Sequence, residues 1–174
     1  MHVSLSGPIE EPVLNQAQVI LNTCQVLMAA CQSVGFAFRD SSARVTTDRL
    51  RVLFDDCAVR WLRFSGDVQV EVLRYATIAG DWSGPQTPAP IPFNLDDALA
   101  SGNEIAILMA CQYGQALANN LYLDILKEPL PGNLLRLIFS QQVEIEALHE
   151  QLLHVRDRYT ASQPLTNTDL HFNG

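Results

Sequence analysis

The sequence predicts an all-α protein, an antiparallel four-helix bundle, in one domain that spans residues 1–174. In four long segments, apolar residues recur at alternating steps of three and four, which places them on one face of a helix. A short turn before the fourth helix makes it the antiparallel neighbour of the third. With 174 residues, 48% of them apolar and 17% charged, the chain is large enough to bury a core.

The first two helices are predicted near residues 12–39 and 46–76. Gly35 and then Asp40-Ser41-Ser42 mark the exit of the first helix. Thr46 and Thr47 are the candidate N-caps of the second helix. The predicted buried faces comprise Val13, Ala17, Ile20, Cys24, Leu27, Cys31, Val34 and Phe38 in the first helix, and Leu50, Phe54, Cys57, Trp61, Phe64, Val68, Val72 and Tyr75 in the second.

The last two helices are predicted near residues 94–127 and 132–159. Asn94 is the candidate N-cap of the third helix. Gln141 interrupts the apolar face of the fourth helix, so we expect it near the core, where a buried hydrogen bond would fix the helix register. The third helix is predicted to bury Leu95, Leu99, Ala106, Ala110, Tyr113, Leu117 and Leu121, opposite a polar stripe of Asp97, Ser101, Glu104, Gln112, Gln115 and Asn119.

Two segments are predicted to lie outside these helices. Residues 77–93 join the second helix to the third and contain Gly80, Gly84 and four prolines, so we expect a long Pro-rich connection. Residues 160–174 form a polar tail. The core of the bundle is therefore expected within residues 12–159.

The net charge, the N-terminal residues and the cysteine spacing bear on the partners and the cellular location of the protein. The net charge of −8 argues against nucleic acid and anionic membranes as partners. The N-terminus lacks the features of a signal peptide, and no uninterrupted apolar stretch approaches a membrane span. We therefore expect a cytoplasmic protein with no membrane partner. Because no Cys-x-x-Cys spacing occurs, the cysteines are predicted to be reduced core thiols, namely Cys24, Cys31, Cys57 and Cys111.

Four residues are candidate metal ligands. A di-metal site in a bundle takes one Glu from each of two helices and a Glu-x-x-His pair from each of the other two. The fourth helix has one such pair, Glu146 with His149, and Glu104 and Glu144 are the further candidates. The first helix offers no Asp, Glu or His between residues 13 and 38. We therefore expect no complete di-metal centre. The alternative to a metal site is that the carboxylates lie on the surface and that His149 is half-buried and hydrogen-bonded to a neighbour.

No catalytic template is complete in this sequence. It has no Gly-rich phosphate loop, no G-x-S-x-G turn and no H-E-x-x-H motif. Cys111 and His149 lie on adjacent predicted helices, which leaves a nucleophile pair open beside the alternative of a buried structural cysteine. No catalytic residue and no cofactor is therefore predicted.

Several short motifs are shared with a known family. They are Leu21-Asn22-Thr23-Cys24-Gln25, Leu50-x-x-Leu53-Phe54-x-x-x-Ala58-x-Arg60-x-x-x-Phe64, Ser101-Gly102-Asn103-Glu104, and the Leu130-Pro131 turn with Gln141, Ile145 and His149. Scattered over residues 13–158, they resemble a ferritin-like four-helix-bundle family of small bacterial proteins of unknown function. The resemblance implies that fold and no particular activity. Where the family has an acidic stretch in its first helix, this chain has apolar residues 26–30.

Two functional hypotheses follow. The first is that the protein acts by association, either with itself as a homodimer or with another protein. Its basis is that apolar side chains lie outside the predicted core faces, because excess apolar surface marks interfaces. The alternative cover for these side chains is the connection 77–93. The second hypothesis is a degenerate metal- or small-ligand-binding bundle centred on Glu104, Glu144, Glu146 and His149. The candidates for a shared surface are Val59, Leu62, Ile107 and Met109.

Overall fold

The computed structural model describes residues 11–79 and 93–162. Within these residues the chain is helical and has no strand, which confirms the predicted all-α class. Most of the predicted Pro-rich connection and of the polar tail lies outside the described residues. The described helices are α1 (Glu11–Ser42), α2 (Asp48–Ala79), α3 (Asp96–Ser101), α4 (Glu104–Ile125) and α5 (Gly132–Ser162).

The four long helices pack around one core. α1 and α2 pack along their lengths, α4 packs on α5, and the two pairs meet where α1 contacts α4 and α2 contacts α5. The ring centroids of Phe38 and Phe54 lie 5.6 Å apart, and Gly35 meets Leu62, so α1 and α2 run in opposite directions. The largest fully buried side chains include Trp61, Tyr122, Phe38, Phe54 and Phe64.

Gly35 lies inside α1, so its predicted role at the helix exit is wrong. The helix continues to Ser42, which confirms the other part of that prediction, an exit at Asp40-Ser41-Ser42. A Cβ atom at position 35 would lie 2.8 Å from Cγ of Leu62 and 3.3 Å from its backbone nitrogen. The missing side chain therefore lets α2 approach α1 closely, which a turn-based interpretation of glycine could not foresee.

The single third helix predicted for residues 94–127 is also wrong, because the segment forms two helices. Gly102 has a φ of 65°, a left-handed conformation that ends α3 at little cost only for glycine. The side chain of Asn103 then accepts hydrogen bonds from the backbone nitrogens of Ile105 and Ala106, at 3.0 and 3.2 Å. Asn103 is therefore the N-cap of a new helix, α4.

The predicted buried face of this region needs a second correction. Tyr113 is 57% exposed, and Leu117, which we expected in the core, is only half-buried. Ile107, a candidate for a shared surface, is fully buried instead. The prediction assigned two glutamines to solvent, whereas α4 buries Ile107, Leu108, Cys111, Gln112, Gly114, Gln115, Ala118, Tyr122 and Ile125.

Most of the other predicted core positions are confirmed, but Val13 is 45% exposed, and the half-buried ones are Tyr75, Leu95, Leu99, Ala106, Ala110 and Leu121. Buried residues include Cys24, Leu27, Cys31, Phe54, Trp61, Phe64, Ile145 and Leu148. All four cysteines are free and buried. Burial raises the pKa of each thiol to about 12, since a thiolate is poorly solvated in an apolar core.

Within residues 11–79 and 93–162, one helix is long and apolar enough to cross a membrane by length and composition alone. This segment is Asn15–Ser42 of α1, although polar residues interrupt it. Core helices of soluble proteins meet the same criterion, and half of the most apolar window is buried inside the fold. The feature therefore carries no argument for or against a membrane.

Candidate functional site

Glu104, a predicted metal-ligand candidate, binds the start of α2. Its Oε1 accepts hydrogen bonds from the backbone nitrogens of Thr46 and Thr47, at 2.6 and 2.9 Å. Its Oε2 accepts from Oγ1 of Thr47 at 2.7 Å and from the hydroxyl of Tyr159. These four residues, called here the Glu104 cluster, join α2, α4 and α5. Glu104 was expected on a polar stripe of its helix, and its contacts with α2 and α5 were not predicted.

The hydrogen bonds control the ionisation of this carboxylate. Partial burial acts to raise the pKa of Glu104, but the hydrogen bonds from Tyr159, Thr47 and Thr46 outweigh it and lower the pKa from 4.5 to about 2. The pKa of Tyr159 is raised, first by burial and then by its hydrogen bond to Glu104. Glu104 is therefore an ionised structural acceptor at neutral pH, with both oxygens already engaged.

The other three candidates lie elsewhere. Glu144 faces α2, where its Oε2 lies 2.6 Å from Nη2 of Arg63. Oε1 of Glu146 accepts a hydrogen bond from Nε2 of Gln142 at 2.5 Å. Glu146 and His149 line one groove of about 450 Å³ between α4 and α5. The four candidates thus occupy three separate places, and the part of the chain that the structure describes contains no group of three potential metal ligands.

The sequence also left open a nucleophile pair of Cys111 and His149. The sulfur of Cys111 lies 3.1 Å from Oγ of Ser41, which is its hydrogen-bond partner. Burial raises the pKa of this thiol to about 12, although the Ser41 hydroxyl acts to lower it. The geometry therefore favours a structural cysteine, since nucleophilic attack needs the thiolate.

A chain of buried hydrogen bonds crosses the core and includes Gln141, as predicted. The hydroxyl of Tyr122 donates to Oε1 of Gln141 at 2.8 Å, and Nε2 of Gln141 donates to the carbonyl oxygen of Phe64 at 3.2 Å. The sulfur of Cys31 lies 3.1 Å from the Tyr122 hydroxyl. These residues come from α1, α2, α4 and α5, so one polar network joins the four long helices. We call it the Tyr122 network.

A second polar contact in the core was missed from sequence. Nε1 of Trp61 donates to Oε1 of Gln115 at 3.4 Å, and Nε2 of Gln115 lies 3.4 Å from the carbonyl oxygen of Ile145. The prediction placed Gln115 on the polar stripe opposite the apolar face of the third helix. Among the described residues, Nε2 of Gln112 is the one buried side-chain nitrogen or oxygen without a hydrogen-bond partner.

The outward face of α2 carries an apolar line. Val59 is 67% exposed, Val70 61% and Leu73 52%. Val59, Gly66 and Leu73 recur every seven residues, and Val70 lies one turn from both Gly66 and Leu73. A Cβ at Gly66 would meet no atom within 4 Å. These four residues form what we call the outer stripe. Leu62, a predicted surface candidate, instead packs against Gly35.

Comparison with known proteins adds no assignment. No protein-family model matches the chain, and a search of curated proteins gives no match. The function must therefore be inferred from the arrangement of the chain's own residues.

Proposed function

We propose that this protein is a non-catalytic helical protein that acts by self-association, as a two-fold dimer formed through the outer stripe of α2. The observation that carries the proposal is the exposure of Val59, Val70 and Leu73 along one helix face. Apolar residues at heptad spacing on an exposed face are typical of helix–helix interfaces. Two-fold dimers are the commonest closed assemblies.

The middle of the stripe pairs with itself when two copies of α2 pack antiparallel. A two-fold axis between residues 63 and 66 places Val59 of one copy opposite Val70 of the other. Gly66, next to the axis, has no Cβ to keep the two backbones apart. Arg63 and Asp67 lie on the same side of the stripe. In an antiparallel two-fold pair this side of one helix adjoins the same side of the other, so Arg63 of one copy lies beside Asp67 of the other. Opposite charges at these positions favour this register.

The proposal includes the finer description of the fold as an antiparallel four-helix bundle of the ferritin-like type. The pairing of α1 with α2, α4 with α5, α1 with α4 and α2 with α5 supports it. Of the two functional hypotheses, association is better supported than a metal site. The metal-ligand candidates lie in three places, and Glu104 is already engaged by the Glu104 cluster.

Sedimentation velocity at tens of micromolar tests the dimer. The wild-type protein should sediment as a dimer, and Val59→Asp should raise the dimer dissociation constant by about tenfold or more, because a carboxylate would be buried in an apolar interface. Val19→Asp is the matched control, since Val19 is 63% exposed on α1, and it should stay dimeric. Circular dichroism verifies that both variants remain helical.

Two outcomes would contradict the dimer. One is a wild-type protein that sediments as a monomer at this concentration. The other is equal dissociation in Val19→Asp and Val59→Asp, which would show that charge anywhere on the surface has the same effect.

A further inference from the structure

A groove between α2 and α5 has the chemistry of a site for a small organic anion. Its volume is about 500 Å³, and it lies beside the Glu104 cluster rather than within it. A concavity of about 320 Å³ shares Arg49, Val155 and Arg158 with it and extends it to Tyr159 and Ser162. The lining of the main groove is Arg49, Val52, Leu53 and Asp56 from α2, and Gln151, His154, Val155 and Arg158 from α5.

The cationic side chains of the groove have no partner among the described residues. Neither Arg49 nor Arg158 forms an ion pair or a side-chain hydrogen bond within residues 11–79 and 93–162, although other arginines of these helices do. The one carboxylate of the lining, Asp56, lies 2.9 Å from Nε of Arg60, which offsets its charge. Two arginines facing one groove are thus uncompensated in a chain of net charge −8.

Part of the groove lining is apolar. Val52, Leu53 and Val155 line it together with the two arginines and His154. Pockets for small molecules combine such apolar walls with a few polar groups that fix orientation. A guanidinium binds a carboxylate with two parallel hydrogen bonds, which a single ammonium cannot do.

We propose that this groove binds a small carboxylate with an apolar body, its carboxylate held by Arg49 and Arg158 and its body on Val52, Leu53 and Val155. The concavity toward Ser162 gives an elongated apolar body room to extend. Arg158 and Val155 of this site belong to α5, whereas Val52 lies seven residues before Val59 on α2, so the outer stripe reaches the edge of the groove.

Isothermal titration calorimetry with decanoate tests the proposal on the full chain. Decanoate should bind the wild-type protein, and acetate, which has the same head without the chain, should bind far more weakly. Arg49→Gln and Arg158→Gln should each weaken decanoate binding by about tenfold or more, the size of one lost charge-assisted contact. Arg136→Gln is the matched control, since Arg136 is exposed on α5 outside the groove, and it should bind like the wild type.

Several results would overturn the proposal. One is no decanoate binding by the wild-type protein, and another is equal binding by Arg158→Gln and the wild type. Decanoate binding that appears only after residues 163–174 are removed would identify that segment as the occupant. If Arg49→Gln and Arg158→Gln shift the sedimentation coefficient without changing decanoate binding, the groove is a contact between copies of the chain.

Discussion

Glu104 accepts its side-chain hydrogen bonds from residues far away in the sequence. Thr46 lies 58 positions before it and Tyr159 lies 55 positions after it. Its carboxylate takes the place of a local N-cap, because it binds the free backbone N–H groups at the start of α2. A residue at the first position of one helix thereby stabilises the first turn of another.

Glu104→Gln should lower the free energy of unfolding at pH 7 by about 1–3 kcal/mol, because an amide presents one acceptor oxygen where the carboxylate presents two charged ones. Glu104 has a lowered pKa in the folded protein, so its contribution is present above pH 4.5 and is lost as the pH falls towards 2. Urea unfolding measures this: the difference in free energy of unfolding between wild type and variant should become smaller as the pH is lowered from 7 to 3.

Glu128→Gln is the control for this measurement, because Glu128 is exposed just after α4 and the substitution removes the same charge. A loss of stability in Glu128→Gln equal to that in Glu104→Gln would show that net charge, and not the hydrogen bonds of the Glu104 cluster, is responsible.

Single residues were predictable where the signal was local. Gln141 interrupts an apolar face, and that alone indicated a buried hydrogen bond. Glu104 carries no such signal, since its partners Thr47 and Tyr159 are 57 and 55 positions away. A carboxylate at the start of a helix is ordinarily solvated, so only the packing of α2, α4 and α5 could assign its role.

At the scale of helices, the contact of α1 with α2 depends on Gly35. The Cγ and Cδ2 atoms of Leu62 would lie 2.8 and 2.9 Å from a Cβ placed there. Glycine lowers intrinsic helix stability, so its presence inside α1 is explained by the close packing that it allows.

Gly35→Ala should lower the free energy of unfolding by about 1–3 kcal/mol, since the added methyl overpacks the contact with Leu62 by more than the gain in helix propensity. The double variant Gly35→Ala with Leu62→Ala should recover part of the loss, which a double-mutant cycle in urea measures. At Gly132 the nearest atom to an added Cβ is 3.9 Å away, so Gly132→Ala should not destabilise. Strict additivity of the two α1–α2 substitutions would contradict this account of the contact.

The buried face of α4 could have been predicted from the sequence if a glutamine had been allowed on a core face. Leu108, Cys111, Gln115, Ala118, Tyr122 and Ile125 follow steps of three and four, as a core face does. The prediction instead placed Gln115 on a polar stripe, although a glutamine with two hydrogen-bonding partners can be buried. The break at Gly102 and Asn103 was also visible as a glycine followed by an N-cap residue. The partners Trp61 and Ile145 could not be known before the helices were packed.

At the scale of the whole molecule, the Tyr122 network reaches all four long helices. It starts at Cys31 and ends at the carbonyl oxygen of Phe64. A buried polar chain of this kind is satisfied in one packing arrangement and leaves groups unpaired in others, which favours a single structure. The periodicity predicted the helices, but only their packing creates this network.

Tyr122→Phe should lower the free energy of unfolding by about 1–3 kcal/mol, because Oε1 of Gln141 would lose its partner in the core. Tyr113→Phe on the same helix is the matched control, since Tyr113 is 57% exposed, and it should leave stability unchanged. Thermal or urea unfolding followed by circular dichroism measures both. Equal stabilities of Tyr122→Phe and the wild type would mean that water replaces the lost hydroxyl.

The long sequence separations within the Glu104 cluster have a consequence for folding kinetics. Thr47 and Tyr159, which share a hydrogen bond, are 112 positions apart, whereas α1 and α2 are adjacent in the chain. Local pairs of helices close small loops and form early, and contacts between distant residues follow. A contact that forms after the rate-limiting barrier changes the rate of unfolding and not the rate of folding. We therefore infer that the Glu104 cluster sets the lifetime of the native state, which the unfolding arm of a chevron plot measures.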